Sequence, residues 1–198
     1  MKTKTFLITV IMAVASITVS AQNKGYEKSI EFSGLFEAKQ QLLPINNVSA
    51  LNLAFVNGYR TNDFFFIGGG LGIDYSIWES MSSYSYTIFN DYAVSIPIFL
   101  RAKANFMDTK IAPFFSFDLG YNLMIGSSED YVFHGITNEK SYKRSGLFLS
   151  PTFGVDFDIQ ENYSMYLGLS YLLNICPENT YSYSTNINSI GFRVGFQF

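Results

Sequence analysis

Charge is scarce in this chain. Asp, Glu, Lys and Arg make up 15% of its 198 residues, less than the 18% supplied by Phe, Tyr and Trp. A soluble protein needs charged surface, so the imbalance points to a chain that faces lipid. Long apolar runs are missing as well. No stretch past the N-terminus holds about 18 consecutive apolar residues, which excludes a helical membrane span and leaves a closed barrel as the way to cross. The single cysteine, Cys176, allows no internal disulfide and lies too far from the N-terminus to carry a lipoprotein's lipid. His134 is the only histidine, and with Cys176 it forms no metal-ligand spacing. A net charge of −3 attracts no nucleic acid. No linker or low-complexity stretch divides the chain, so one domain is expected.

An export signal is present. Lys2 and Lys4 precede the apolar run 6–15, and Val19-Ser20-Ala21 offers small residues to a signal peptidase. Residues 1–21 therefore read as a signal peptide cleaved after Ala21, leaving 22–198 as the folded domain. The apolar run is too short to cross a bilayer of ~30 Å as a helix.

Downstream, apolar residues recur at every second position, the periodicity of a strand with one greasy face. The clearest cases are 92–106, with Val94, Ile96, Ile98 and Leu100 opposite Ser95, Pro97, Arg101 and Lys103, and the C-terminal strand, with Ile190, Phe192, Val194, Phe196 and Phe198 opposite Gly191, Arg193, Gly195 and Gln197. Further strands are predicted at 28–38, 48–59, 64–75, 111–123, 147–159 and 163–173, eight in all. Long connections near 39–47, 76–91, 124–146 and 174–186 alternate with short polar turns near 60, 108 and 161. That asymmetry is the pattern of an outer-membrane barrel, its long connections facing out of the cell and its tight turns facing the periplasm. The predicted class is all-β, an eight-stranded antiparallel up-and-down transmembrane barrel.

Alternation alone does not say which face is inside, because a soluble lipocalin-like carrier would turn its apolar face inward around a ligand. The second face decides. It is dominated by Gly68, Gly70, Gly72, Gly120, Gly154, Gly168, Gly191 and Gly195 with Ser and Thr, small residues that suit a crowded interior better than a solvated exterior. Aromatic residues gather at two heights: Tyr59, Phe64, Phe65, Phe106, Tyr163 and Phe198 at the turn end, and Tyr75, Trp78, Tyr92, Tyr121 and Tyr171 at the loop end. Two such girdles mark membrane interfaces.

Several phrases carry a resemblance. Asn57-Gly58-Tyr59-Arg60 leads into Gly68-Gly69-Gly70-Leu71-Gly72, followed by Ser95-Ile96-Pro97, Pro113-Phe114-Phe115 and the terminal Phe198. Over nearly all of 22–198 the chain resembles the outer membrane protein β-barrel domain family, small eight-stranded barrels similar to OmpX, OmpA or PorT. The resemblance implies a cell outer membrane location, contact with outer-membrane lipid and no catalytic motif. It also implies that the terminal aromatic strand ending at Phe198 is an assembly signal read by the barrel insertion machinery.

Inward-facing ionisable residues are Glu31, Glu37, Asp74, Arg101, Lys103, Asp118, Asp156, Asp158 and Arg193. A narrow lumen must pair its charges, so Glu31, Arg101, Lys103, Asp118, Asp156 and Arg193 are expected to form a structural network rather than a proton path. Loop residues Trp78, Tyr84, Tyr86, Tyr181 and Tyr183 combine with neighbouring serines in the manner of a contact surface and are candidates for binding a protein partner. No catalytic, cofactor-binding or metal residue is assigned. A lipid A-modifying enzyme remains an alternative, and it would need His134, which stands alone in a loop without a serine motif. The glycines Gly68, Gly69 and Gly70 precede no helix and read as packing rather than phosphate binding.

Overall fold

Pairing is the first requirement of a strand that crosses lipid, since its backbone finds no water there. The computed structural model describes residues 25–37, 45–62, 64–81, 88–127, 132–133, 136–137, 145–160, 163–175 and 187–198. The predicted signal peptide and parts of the long connections lie outside them. Eight long strands form a closed, fully antiparallel barrel: β1 (Tyr26–Glu37), β2 (Ile45–Asn62), β3 (Phe65–Met81), β4 (Ile88–Asn105), β5 (Ile111–Ser127), β8 (Gly146–Gln160), β9 (Tyr163–Ile175) and β10 (Ile187–Gln197). Two short strands, β6 (Val132–Phe133) and β7 (Ile136–Thr137), pair with each other in the connection between β5 and β8. Each barrel strand pairs with its neighbours in chain order, and β1 closes the ring on β10 from Ser29↔Gln197 to Glu37↔Ser189. Lys28 and Phe198 extend that seam by exchanging backbone hydrogen bonds of 3.0 and 2.9 Å.

All eight predicted strands are present, and several run longer at the loop end than the alternation suggests. β3 continues to Met81 and β4 begins at Ile88, with Glu79↔Asn90 and Ser80↔Phe89 still paired. Such polar sequence loses the apolar beat while its backbone keeps pairing, so periodicity underestimates the strand. The connections expected at 76–91 and 124–146 shrink accordingly. At the other end the turns are tight. Phe64 N donates to Asn62 Oδ1 at 3.0 Å, and Phe106 N donates to Pro113 O at 2.8 Å.

The apolar face points outward. Ile30, Phe32, Leu53, Leu100, Leu167 and Phe192 are exposed, Leu100 to 69%, while Glu31, Arg101, Asp118 and Asp156 are buried on the other face. An exterior this apolar is stable only against lipid, the reverse of what a soluble carrier needs. The girdle residues Tyr59, Phe64, Phe65, Phe106 and Tyr163 are exposed at the turn end, and Tyr75, Tyr92, Tyr121 and Tyr171 at the loop end. The Tyr75 and Tyr92 rings stack with centroids 6.1 Å apart.

Inward glycines have a specific use, which is to make room for aromatic rings inside the lumen. A Cβ on Gly70 would lie 2.2 Å from the Phe99 ring, one on Gly154 2.7 Å from Phe114, and one on Gly195 2.1 Å from Tyr166. Pro97 has no N–H to give the ladder, and the β3–β4 pairing is interrupted opposite it, between Leu71↔Ile98 and Asp74↔Ser95. Gly72 faces Pro97 there, its Cβ position 3.1 Å from the proline Cγ.

Leu100 sits on β4 about midway between the girdle residues Tyr92 and Phe106, near the centre of the apolar belt. Leu100→Lys is therefore expected to destabilise the barrel by about 2–4 kcal/mol in urea titrations of protein folded into lipid vesicles. Lys110→Arg, in an exposed turn, is expected to be neutral.

Candidate functional site

The lumen is built in layers. Nearest the turns, six side chains from five strands close a hydrogen-bonded ring. Arg60 Nε donates to Glu27 Oε2 at 2.6 Å, and its Nη1 donates to Asn105 Oδ1 at 3.2 Å. Asn105 donates in turn to Asp156. Lys103 Nζ reaches Asp156 Oδ1 at 2.9 Å and Gln197 Oε1 at 3.4 Å, and Gln197 donates back to Glu27. Ser164 Oγ adds a bond of 2.7 Å to Gln197. Two cations and two carboxylates make this layer neutral.

Above it stand Phe114 and Tyr166, edge to face with centroids 5.5 Å apart. The Lys103 ammonium lies 4.5 Å from the Phe114 ring centre and 4.6 Å from that of Tyr166, so the aromatic faces take part of its charge.

The central layer is a second neutral set. Arg101 grips Asp118 with two parallel bonds, Nε to Oδ1 at 2.6 Å and Nη2 to Oδ2 at 2.7 Å, and turns its outer edge to Glu31, with Nη2 to Oε2 at 3.0 Å and a further bond from Nη1. Arg193 Nη1 binds Asp118 Oδ2 at 2.8 Å, and Nη2 binds Ser150 Oγ at 3.2 Å. Tyr166 and Ser29 both donate to Glu31. The two-sided use of Arg101 requires the planar guanidinium fork, which lysine lacks.

The structure thus brings Glu31, Arg101, Asp118 and Arg193 together in one cluster and places Lys103 and Asp156 in the ring below. Asp74 is buried as well, on the loop side of both. Asp158, expected inside, is instead exposed: β8 has reached the turn end of the wall, where its side chain meets solvent. The Glu37 and Trp78 side chains lie outside the described residues, as do Tyr84, Tyr86, His134, Cys176, Tyr181 and Tyr183. Sequence reasoning missed Glu27, Arg60 and Tyr166 in the network. The alternation puts Arg60 in a turn and Glu27 before the first strand, whereas β1 and β2 extend to include them. Tyr166 was legible from parity, since it shares the face of Gly168. Among the described residues no group of three His, Cys, Asp or Glu is placed to hold a metal ion.

This architecture is that of solved membrane barrels. Neisserial surface protein A superposes with a TM-score of 0.54 at 17% identity, over 88% of this chain and 96% of that one. The outer membrane protein OprG from Pseudomonas aeruginosa gives 0.56 at 12% identity, over the same shares, 88% and 96%. The chain has the fold of small eight-stranded outer-membrane barrels. At these identities the likeness extends to the fold alone. A looser match to the outer membrane enzyme PagL, TM-score 0.38 at 11% identity, carries nothing about chemistry. No family model and no curated protein sequence matches the chain.

Arg101 is the member on which both carboxylates of the central layer depend. Arg101→Ala is expected to cost about 3–5 kcal/mol of stability, because Glu31 and Asp118 would remain buried beside Arg193 alone. The charge-balanced double change Arg101→Met with Asp118→Leu is expected to cost less than the two single changes summed, a non-additivity that urea unfolding in vesicles would measure.

Proposed function

We propose that the protein is an integral barrel of the cell outer membrane that acts structurally or through its loops, and is neither an enzyme nor an open pore. The observation that carries this reading is the pair of neutral, cross-linked side-chain layers spanning the lumen, one ring of Arg60, Glu27, Gln197, Lys103, Asp156 and Asn105 and one cluster around Arg101. Side chains that hold one another by charged hydrogen bonds obstruct ions as well as solutes, and eight strands enclose little more than the side chains themselves. Each ion in these layers has an opposite partner.

Function is then left to the ends of the barrel. The loop residues Trp78, Tyr84, Tyr86, Tyr181 and Tyr183 offer rigid aromatic contacts to a protein partner. The cleaved segment 1–21 delivers the chain for export, and lipid covers the exterior. The barrel insertion machinery reads the last strand, in which Phe198 packs against Phe196 with ring centres 6.1 Å apart and Phe196 stacks on Tyr163 at 5.9 Å.

Purified protein in planar bilayers is expected to give negligible conductance. A steady open-channel current at low voltage would sink the closed-lumen reading. Cells expressing His134→Ala are expected to keep the same lipid A profile as cells expressing the unaltered protein; a lipid A modification that disappears with His134 would establish the enzyme alternative instead. Removing Phe198 takes away one side of the Lys28 seam and is expected to lower the amount of heat-modifiable barrel recovered from outer membranes, as gel mobility with and without boiling would report.

A further inference from the structure

The loop-side half of the lumen differs from the two layers beneath it. A cavity of about 40 Å³ lies there, lined by residues from each of the eight barrel strands. Glu31, Asp118 and Arg193 form its floor, and Asn52, Asp74, Asn122 and Asn174 stand around its wall. Asp74 is 7% exposed, Asn122 7% and Asn174 9%. The Oδ1 atom of each is buried without a hydrogen-bond partner among the described residues. Among the described residues the wall therefore presents three unmatched acceptors, and Arg193 Nε on the floor is an unmatched donor.

Charge follows the same division. The ring and the central cluster are each neutral, and Asp74 belongs to neither and forms no ion pair among the described residues. Asn52 hydrogen-bonds to it, and Ser95 is its neighbour in register on β4, but neither carries charge. Arg193 acts on it through space while its own Nη groups are bound to Asp118 and Ser150. A buried carboxylate and buried amide oxygens are stable when donors and a positive charge meet them.

We propose that this cavity is a binding site for a small protonated amine, of ammonium or methylammonium size, with Asp74 as its counter-ion and the Asn122 and Asn174 oxygens accepting its N–H donors. Size supports this: a cavity of about 40 Å³ takes about three water-sized groups. Charge supports it too, because the three carboxylates lining the cavity, Glu31, Asp118 and Asp74, stand against two guanidiniums, Arg101 and Arg193, which leaves one negative charge for a single positive ion. The three acceptors sit on β3, β5 and β9, so they come from separate parts of the wall around the one cavity. The sealed layers below leave the loop side as the way in, and the site is a blind pocket rather than part of a conduit.

The test is an NMR titration of isotope-labelled barrel in lipid nanodiscs with methylammonium chloride, following the Asn122 and Asn174 side-chain amides and the Asp74 backbone. The expected result is saturable shifts at these three residues. Asp74→Asn weakens the binding on the order of tenfold and Asn174→Leu severalfold, each variant keeping its heat-modifiable gel mobility. Tetramethylammonium, which is larger and has no N–H donor, gives no such shifts. The proposal is overturned if the folded wild-type barrel shows no saturable shifts, or if Asp74→Asn binds as tightly. It is equally overturned if tetramethylammonium reproduces the shifts, or if potassium chloride at the same concentration displaces methylammonium. Should Asp74→Asn fail to fold, unweakened binding by Asn174→Leu would overturn it on its own. A barrel that conducts nothing yet binds methylammonium, or the reverse, separates this site from the closed-lumen reading.

Discussion

Closure of the sheet is the constraint on which everything else in this molecule depends. A strand in lipid has no water to satisfy its N–H and C=O groups, so every edge must find a partner. The seam between β1 and β10 provides the last one, and it runs from Lys28 and Phe198 at the turn end to Glu37 and Ser189. With the ring closed at eight strands, the bore is narrow, and the side chains of the inner face have nowhere to go but against each other. Lipid outside and crowding inside then dictate the two faces separately.

Crowding explains the composition of the interior. Large rings such as Phe99, Phe114 and Tyr166 fit only where a glycine stands opposite, and charged groups are tolerated only as partners. Arg101 shows how tightly these demands combine. Its guanidinium is buried with both carboxylates it serves, while the Phe99 ring lies 5.3 Å from its carbon centre. A buried ion pair is weak evidence for stability in itself, since hydrophobic replacements are often as good. Here the pairs tie six strands together across the lumen, a specification of register that an apolar filling would supply less uniquely.

The two halves of the lumen have different characters for the same physical reason. Toward the turns, donors and acceptors are matched among the described residues, and the ring and cluster tie strands together across the lumen. Toward the loops the matching stops at Asp74, Asn122 and Asn174, and space opens. The arrangement we propose is a structural plug and a blind pocket sharing one narrow barrel.

What the sequence determined by itself was whatever depends on a strand's two-residue repeat. Parity assigned Leu100 to lipid and Arg101 to the lumen without any knowledge of their neighbours, and it placed all eight strands. Its reach ended where the repeat fades. The polar ends of β3 and β4, and the inclusion of Glu27 and Arg60 in β1 and β2, follow from backbone pairing that side-chain polarity does not record. The face of each lumenal charge was legible; its partner was not. Glu31 meets Arg101 across 70 positions of chain, and Gln197 meets Glu27 across 170, encounters set by the stagger and closure of the barrel rather than by any local pattern. Only the tertiary structure could divide the inward residues into matched layers and an unmatched pocket, because matching is a property of distances around the ring, and those exist only once the ring is closed.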